Sequence, residues 1–134
     1  MDINYYDSKY ADAKVRLEAL DKIRDALIER GAKDCHGYSD GRRSYSYVLR
    51  VDGKKGVSFN RITNTRKLVD TFYLITINAG YAKYRRSWGF HISSRKFSDE
   101  DGGPVAVVGR CDGIWKPNED DIIEHLPYYL KELA

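Results

Sequence analysis

Between Asp7 and Gly31 the apolar residues Tyr10, Ala13, Leu17, Leu20, Ile23, Leu27 and Ile28 recur at intervals of three and four. Lys14, Glu18, Asp21, Lys22, Asp25 and Glu29 fill the positions between them. That period predicts an amphipathic helix over 7–31, opened by the side-chain acceptor of Asp7 or Ser8 and closed by Gly31 in the left-handed conformation. A second helical stripe, Ile122, Ile123, Leu126, Leu130 and Leu133, predicts a helix over 117–133. Asn118 is its expected N-cap, and Glu119, Asp120 and Asp121 place negative charge where the helix dipole favours it. Pro127 lies too deep for a first turn, so this helix is expected to kink or restart there.

Between the helices the period shortens. Ser44 to Val51 reads as a strand, Asp52-Gly53-Lys54-Lys55-Gly56 as a hairpin turn, and Val57 to Ile62 as the returning strand. Asn64 to Lys67 reads as a turn. Thr71 to Asn78 is rich in aromatic and β-branched residues and is expected to be the central strand, buried on both faces. Ala79-Gly80 is expected to break it, with further strands over 86–93 and 105–110 on either side of a turn at 99–104. Short polar connections between four or five consecutive strands predict an antiparallel meander, since parallel neighbours need long crossovers. The expected fold is a single α+β domain over 1–134, a two-layer arrangement with both helices on one face of a sheet spanning 40–110.

Charge changes this picture. The chain of 134 residues has a formal charge of only +3, yet 13 of its 23 Lys and Arg residues lie between Gly41 and Phe97, where Asp52 and Asp70 are the only acidic residues. That stretch carries +11, against −2 for residues 1–40 and −6 for residues 98–134. Such asymmetry bears on partners, because clustered like charges attract polyanions. Tyr45, Tyr47, Tyr73, Tyr81, Tyr84 and Trp88 are threaded among the cations. The composition, 42% hydrophobic and 13% aromatic, is that of a folding chain, and no apolar run approaches the ~20 residues of a membrane-spanning helix. With no export leader visible at the N-terminus, a cytoplasmic location is expected, with Cys35 and Cys111 as small buried residues rather than a disulfide.

Two segments mix guanidinium groups, which bind phosphate bidentately, with rings that stack on bases: residues 40–47 and residues 81–96. They supply the candidate contacts Arg42, Arg43, Tyr45, Tyr84, Arg85, Arg86, Trp88, Arg95 and Lys96, with Tyr84 or Trp88 as the stacking ring. Arg43, Tyr45, Tyr47 and Leu49 are expected to share one strand face.

Other chemistries lack their requirements. Cys35, His36, Cys111 and His125 are suitable metal ligands in the wrong spacing. His91-Ile92-Ser93 places an imidazole and a hydroxyl on one strand face, as in two-histidine phosphoesterases, but no second such tripeptide exists. A Ser-His-carboxylate triad would need an acid that the surrounding stretch does not provide, and no phosphate-binding glycine loop is present. The expected function is therefore a non-catalytic binding protein, without cofactor or metal, whose basic sheet region engages nucleic acid. The alternative is an interaction protein of the phage or mobile-element inhibitor type, which docks onto a protein or nucleoprotein complex and blocks it through the same Arg and Tyr residues.

Overall fold

A computed structural model describes residues 6–39, 45–100, 102–107 and 112–133. The N-terminal helical pattern forms in two pieces. Ser8 caps a short 3-10 turn, Lys9–Ala11, and Asp12 then caps α1 (Ala13–Glu29) by accepting from the Lys14 amide at 2.9 Å. The helix therefore starts at Asp12 rather than at Asp7 or Ser8, because a second, better-placed carboxylate is available. It ends as the pattern predicts: Gly31 has φ 103°, and the Ala32 amide reaches back to the Leu27 carbonyl. At the other end of the chain, Asn118 caps α2 (Glu119–Leu133), accepting from the Asp121 amide at 2.9 Å. α2 has Pro127 in its interior and is bent.

Among the described residues, eight strands lie between the helices: β1 (Lys33–Ser39), β2 (Tyr45–Asp52), β3 (Gly56–Asn60), β4 (Thr65–Val69), β5 (Thr71–Ala82), β6 (Ser87–Glu100), β7 (Gly103–Ala106) and β8 (Asp112–Lys116). Six make an antiparallel sheet in the order β1-β2-β5-β6-β7, with β8 also paired to β6, while β3 and β4 form a separate two-stranded hairpin. Every pairing is antiparallel.

The connections differ from the simple meander. The expected hairpin between 44–51 and 57–62 does not form. The Gly53 amide instead donates to the Thr71 carbonyl and the Thr71 hydroxyl donates to the Lys54 carbonyl, which joins the end of β2 to β5 and pushes β3 and β4 out as an insertion. Of residues 64–67, expected as a turn, only Asn64 is in the turn, and Thr65, Arg66 and Lys67 begin β4. β5 runs through Ala79-Gly80, since Gly80 sits opposite Gly89 in the ladder. β6 continues to Glu100, which pairs with Gly103, so the connection is shorter than the turn expected at 99–104, and the strand expected over 105–110 appears as β7, Gly103–Ala106, with residues 108–110 outside the described residues. β1 and β8 were not foreseen.

Alternation divides the sheet into two faces. Tyr45, Tyr47 and Leu49 of β2, Ile75, Ile77 and Ala79 of β5, and Trp88, Phe90 and Ile92 of β6 share one face through the strand register. There they meet Leu20, Ile23 and Leu27 of α1 and Ile122 and Leu126 of α2 in a single core, with Leu17 and Leu130 half-buried. Polar ties fasten the layers: the Tyr47 hydroxyl donates to Asp21 of α1, the Tyr10 hydroxyl donates to Glu119 at the start of α2, and Lys22 pairs with Asp120 at 3.1 Å. Both helices thus cover one sheet face. β5 is consequently buried mainly on that face: on the other side Leu74, Thr76 and Asn78 are half-buried, and Phe72 near the start of the strand is the buried exception. Among the described residues, no helix is long and apolar enough to cross a membrane.

Candidate nucleic-acid interface

The opposite face carries no helix among the described residues, and its cations are seated on rings. Arg50, Leu74 and Arg95 stand opposite one another across β2, β5 and β6. The Arg50 guanidinium lies 3.9 Å from the Phe72 ring centroid, and Phe72 stacks on Phe97 at 5.5 Å. Arg95 lies 6.0 Å from the Phe97 centroid. Six residues further toward the start of β6, Trp115 of β8 lies over Gly89: a Cβ on Gly89 would fall 2.4 Å from the indole. Only glycine allows that approach. The Arg85 guanidinium covers the same indole at 4.4 Å. Three arginines are therefore held on aromatic supports along about 20 Å of one sheet face, at 3.3 Å per residue. Between them lie neutral hydrogen-bonding groups: the Ser46 hydroxyl donates to Asn78, and His91 faces Trp115 in the ladder. Burial holds the His91 imidazole below its ordinary value of 6.5, in the neutral form near pH 7.

The acidic groups are mostly elsewhere. The two helices sum to −4 and lie behind the sheet. Asp52 sits at one end of the uncovered face, accepting from Arg50 Nε at 3.0 Å and pairing with Lys33 at 3.7 Å; the hydrogen bond from Arg50 holds its carboxyl below the usual range. Asp99 is at the same end.

The nine sequence candidates separate on this frame. Arg85 and Arg95 lie on the uncovered face. Tyr84 and Arg86 lie with Arg85 in the β5–β6 turn; Tyr84 is fully exposed, and Arg86 has φ 51°. Lys96 alternates to the helix side of β6, 5.9 Å from the Tyr73 ring. Tyr45 also faces the helices, half-buried in the core. Trp88 corrects the sequence reading most sharply. It is 2% exposed, with Arg16 of α1 placed 4.2 Å over its ring, so it cannot stack on a base. Arg16 is itself 2% exposed and donates to the Tyr10 and Ala11 carbonyls at 2.6 and 3.0 Å. Arg42, Arg43 and Cys111 lie outside the described residues. Among the described residues, no group of three or more His, Cys, Asp or Glu side chains could hold a metal.

Sequence reasoning missed Arg50 and Trp115, and it missed the inserted hairpin. The segment 53–69 holds Lys54, Lys55, Arg61, Arg66 and Lys67 and no Asp or Glu. In its register Val57 faces Leu68 and Phe59 faces Arg66, so these four share one face. Val57 is 65% and Leu68 66% exposed, while Ile62 at the tip is 95% exposed. The other face turns toward the body, where the Ser58 hydroxyl donates to Glu100 at 2.6 Å.

No protein-family model, curated protein or solved structure matches this chain.

Proposed function

We propose that the protein is a non-catalytic nucleic-acid-binding protein that meets the phosphate backbone with the helix-free face of its sheet. The observation that supports this most is the set of ring-seated arginines, Arg50, Arg85 and Arg95, on the face turned away from the two helices, of which α2 is acidic. A guanidinium held on a ring has lost much of its rotamer freedom before a ligand arrives. Because Arg50 Nε is already engaged by Asp52, the phosphate contacts are assigned to Arg85 and Arg95. Exposed arginine pairs otherwise gain little from a surface contact.

The test is a titration of the wild type against single- and double-stranded oligonucleotides at several salt concentrations. Each phosphate contact removed flattens the slope of log affinity against log salt by about one unit. Arg85→Ala with Arg95→Ala should flatten it by about two and weaken binding at every sequence tested. Absence of binding to DNA or RNA at about 50 mM salt, where nonspecific contacts are strong, would end this reading.

A second reading, a docking protein that blocks a protein or nucleoprotein complex, rests on the exposed apolar side chains of the β3–β4 hairpin. A protein partner would bind with a shallower salt dependence than a polyanion.

A further inference from the structure

Building on that reading, we propose that the β3–β4 hairpin is a two-stranded ribbon that enters the major groove of duplex DNA with its Val57, Phe59, Arg66 and Leu68 face against the base edges. Dimensions come first. Five register pairs at about 3.4 Å per residue give a ribbon about 17 Å long, with backbones about 4.8 Å apart. The major groove of B-DNA, about 12 Å wide and 8.5 Å deep, admits such a ribbon, whereas the minor groove, at about 6 Å, does not. The narrow, deep major groove of A-form RNA excludes it as well.

Chemistry then fixes which face looks inward. The floor of the major groove displays thymine methyl groups and the O6 and N7 acceptors of guanine. Val57, Leu68 and Phe59 match the methyls. Arg66, whose guanidinium is held 5.9 Å from the Phe59 ring centroid on the same face, matches guanine. The polar face cannot compete for this role, because it is turned to the body of the protein and faces Glu100, whose carboxylate repels phosphate.

Charge complementarity selects the occupant. Of the five cations in these 17 residues, Lys55 pairs with Asp70 at 2.8 Å and Lys67 lies on the face turned to the body, which leaves Lys54, Arg61 and Arg66, with no carboxylate in the segment, to meet a duplex that carries a charge every ~1.7 Å along its axis. Lys54 at the base and Arg61 at the tip flank the reading face at its two ends, where the groove walls bring phosphates. The tip is also ordered in advance: the Asn60 side chain accepts from the Ile62 amide at 2.9 Å and the Thr63 amide at 3.3 Å, and Asn64 takes φ 55° to close the turn. A ribbon already rigid in the free chain loses little entropy on insertion.

The experiment begins with selection of preferred sites from a random duplex library, followed by anisotropy titrations of the selected duplex, its scrambled counterpart and the corresponding single strand. The selected site should contain guanine and thymine, and the duplex should bind more tightly than either comparator. Arg66→Ala should cut discrimination at one guanine position by about 10- to 100-fold while leaving the salt slope unchanged. Val57→Ser with Leu68→Ser, which removes the apolar groups from both strands, should reduce preference for thymine over uracil, which lacks the methyl. Arg61→Ala should instead weaken all duplexes alike and flatten the salt slope by about one unit. Circular dichroism and a thermal melt of each variant confirm that the hairpin and sheet persist, and Leu68→Gln, at a position 66% exposed, serves as the reading-face change if the double variant does not fold, with the same loss of thymine preference expected. Equal affinity for single strands and duplexes, or unchanged discrimination in Arg66→Ala, overturns the ribbon while leaving the sheet-face reading intact. Loss of the Arg85 and Arg95 dependence with a persisting Arg66 dependence does the reverse. A wild type that binds no nucleic acid removes both and leaves the hairpin as a protein-docking element.

Discussion

The two tryptophans occupy opposite faces of one sheet, and each lies under an arginine: Arg16 over Trp88 at 4.2 Å, Arg85 over Trp115 at 4.4 Å. The pair interactions are alike, but their surroundings are not. Trp88 is sealed beneath α1, and the arginine above it is spent on the carbonyls of Tyr10 and Ala11. Trp115 rests on a glycine at the outside of the sheet, with an arginine from a surface turn as its outermost layer. A cation on a ring is therefore not in itself a sign of a binding surface. The first stack joins the helix layer to the sheet, and the second aims a guanidinium at solvent.

Stability measurements should separate the stacks widely. Trp88→Ala removes a buried indole and should cost about 3–5 kcal/mol in urea denaturation. Trp115→Ala, which empties a half-open site that water can fill, should cost about 1–2 kcal/mol. Similar losses for the two would show that the uncovered face is packed like the covered one.

Next in size is Arg16. Replacing it by Ala leaves the Tyr10 and Ala11 carbonyls short of a donor and opens a space against Trp88, at a cost of about 2–4 kcal/mol. Arg16→Met keeps the volume, and recovery of half the loss or more would assign the residue to packing. Recovery of none would assign it to the charge and its hydrogen bonds.

Arg16 also shows what the sequence made legible. It precedes Leu20, Ile23 and Leu27 by four, seven and eleven positions, on the apolar stripe itself. Its charge pointed away from the core, although its spacing pointed into it. Trp88 carried a similar signal, because it alternates with Phe90 and Ile92 as a buried strand face must. The basic run around it suggested a contact instead. Local period and capping chemistry were sufficient for both helices, the Gly31 stop and the Asn118 cap. They were insufficient for β1, whose sequence KDCHGYS has no apolar alternation, and for β8, whose partner β6 is about 20 residues upstream. Turn chemistry misled at Asp52-Gly53, where a long-range bond to Thr71 decides the path. Arg85 and Arg95 of the uncovered face were legible as basic residues, but that they share one face with Arg50 and Trp115 follows only from register.

A smaller effect tests the seating of Trp115 directly. Gly89→Ala puts a methyl into the indole plane and should cost about 1–3 kcal/mol. It should also move the fluorescence of Trp115 toward that of a solvated indole. In the Trp115→Ala background the same change should cost much less, a coupling that a double-mutant cycle reads out. Additive costs would place the strain of the methyl somewhere other than the indole.

The finest distinction between the faces is in their response to pH. On the covered face, burial and then the hydrogen bond to Asp21 push the Tyr47 phenol up to about 12, so the folded chain keeps a proton that the unfolded chain releases near 10. That contribution is complete below pH 10 and is lost as pH rises toward 12. On the uncovered face, burial holds the His91 imidazole below 6.5, so the folded chain binds fewer protons there than the unfolded chain. That contribution is complete above pH 6.5 and is lost as pH falls through the lowered value. Thermal melts from pH 5 to 12 should therefore show His91→Gln flattening only the acid limb and Tyr47→Phe only the alkaline limb. The His91 change should be the smaller, because a half-buried ring is partly solvated in either state. An acid limb that is the same with and without His91 would mean that the imidazole is as well hydrated in the folded chain as in the unfolded one, and that the face around Trp115 is more open than its geometry indicates.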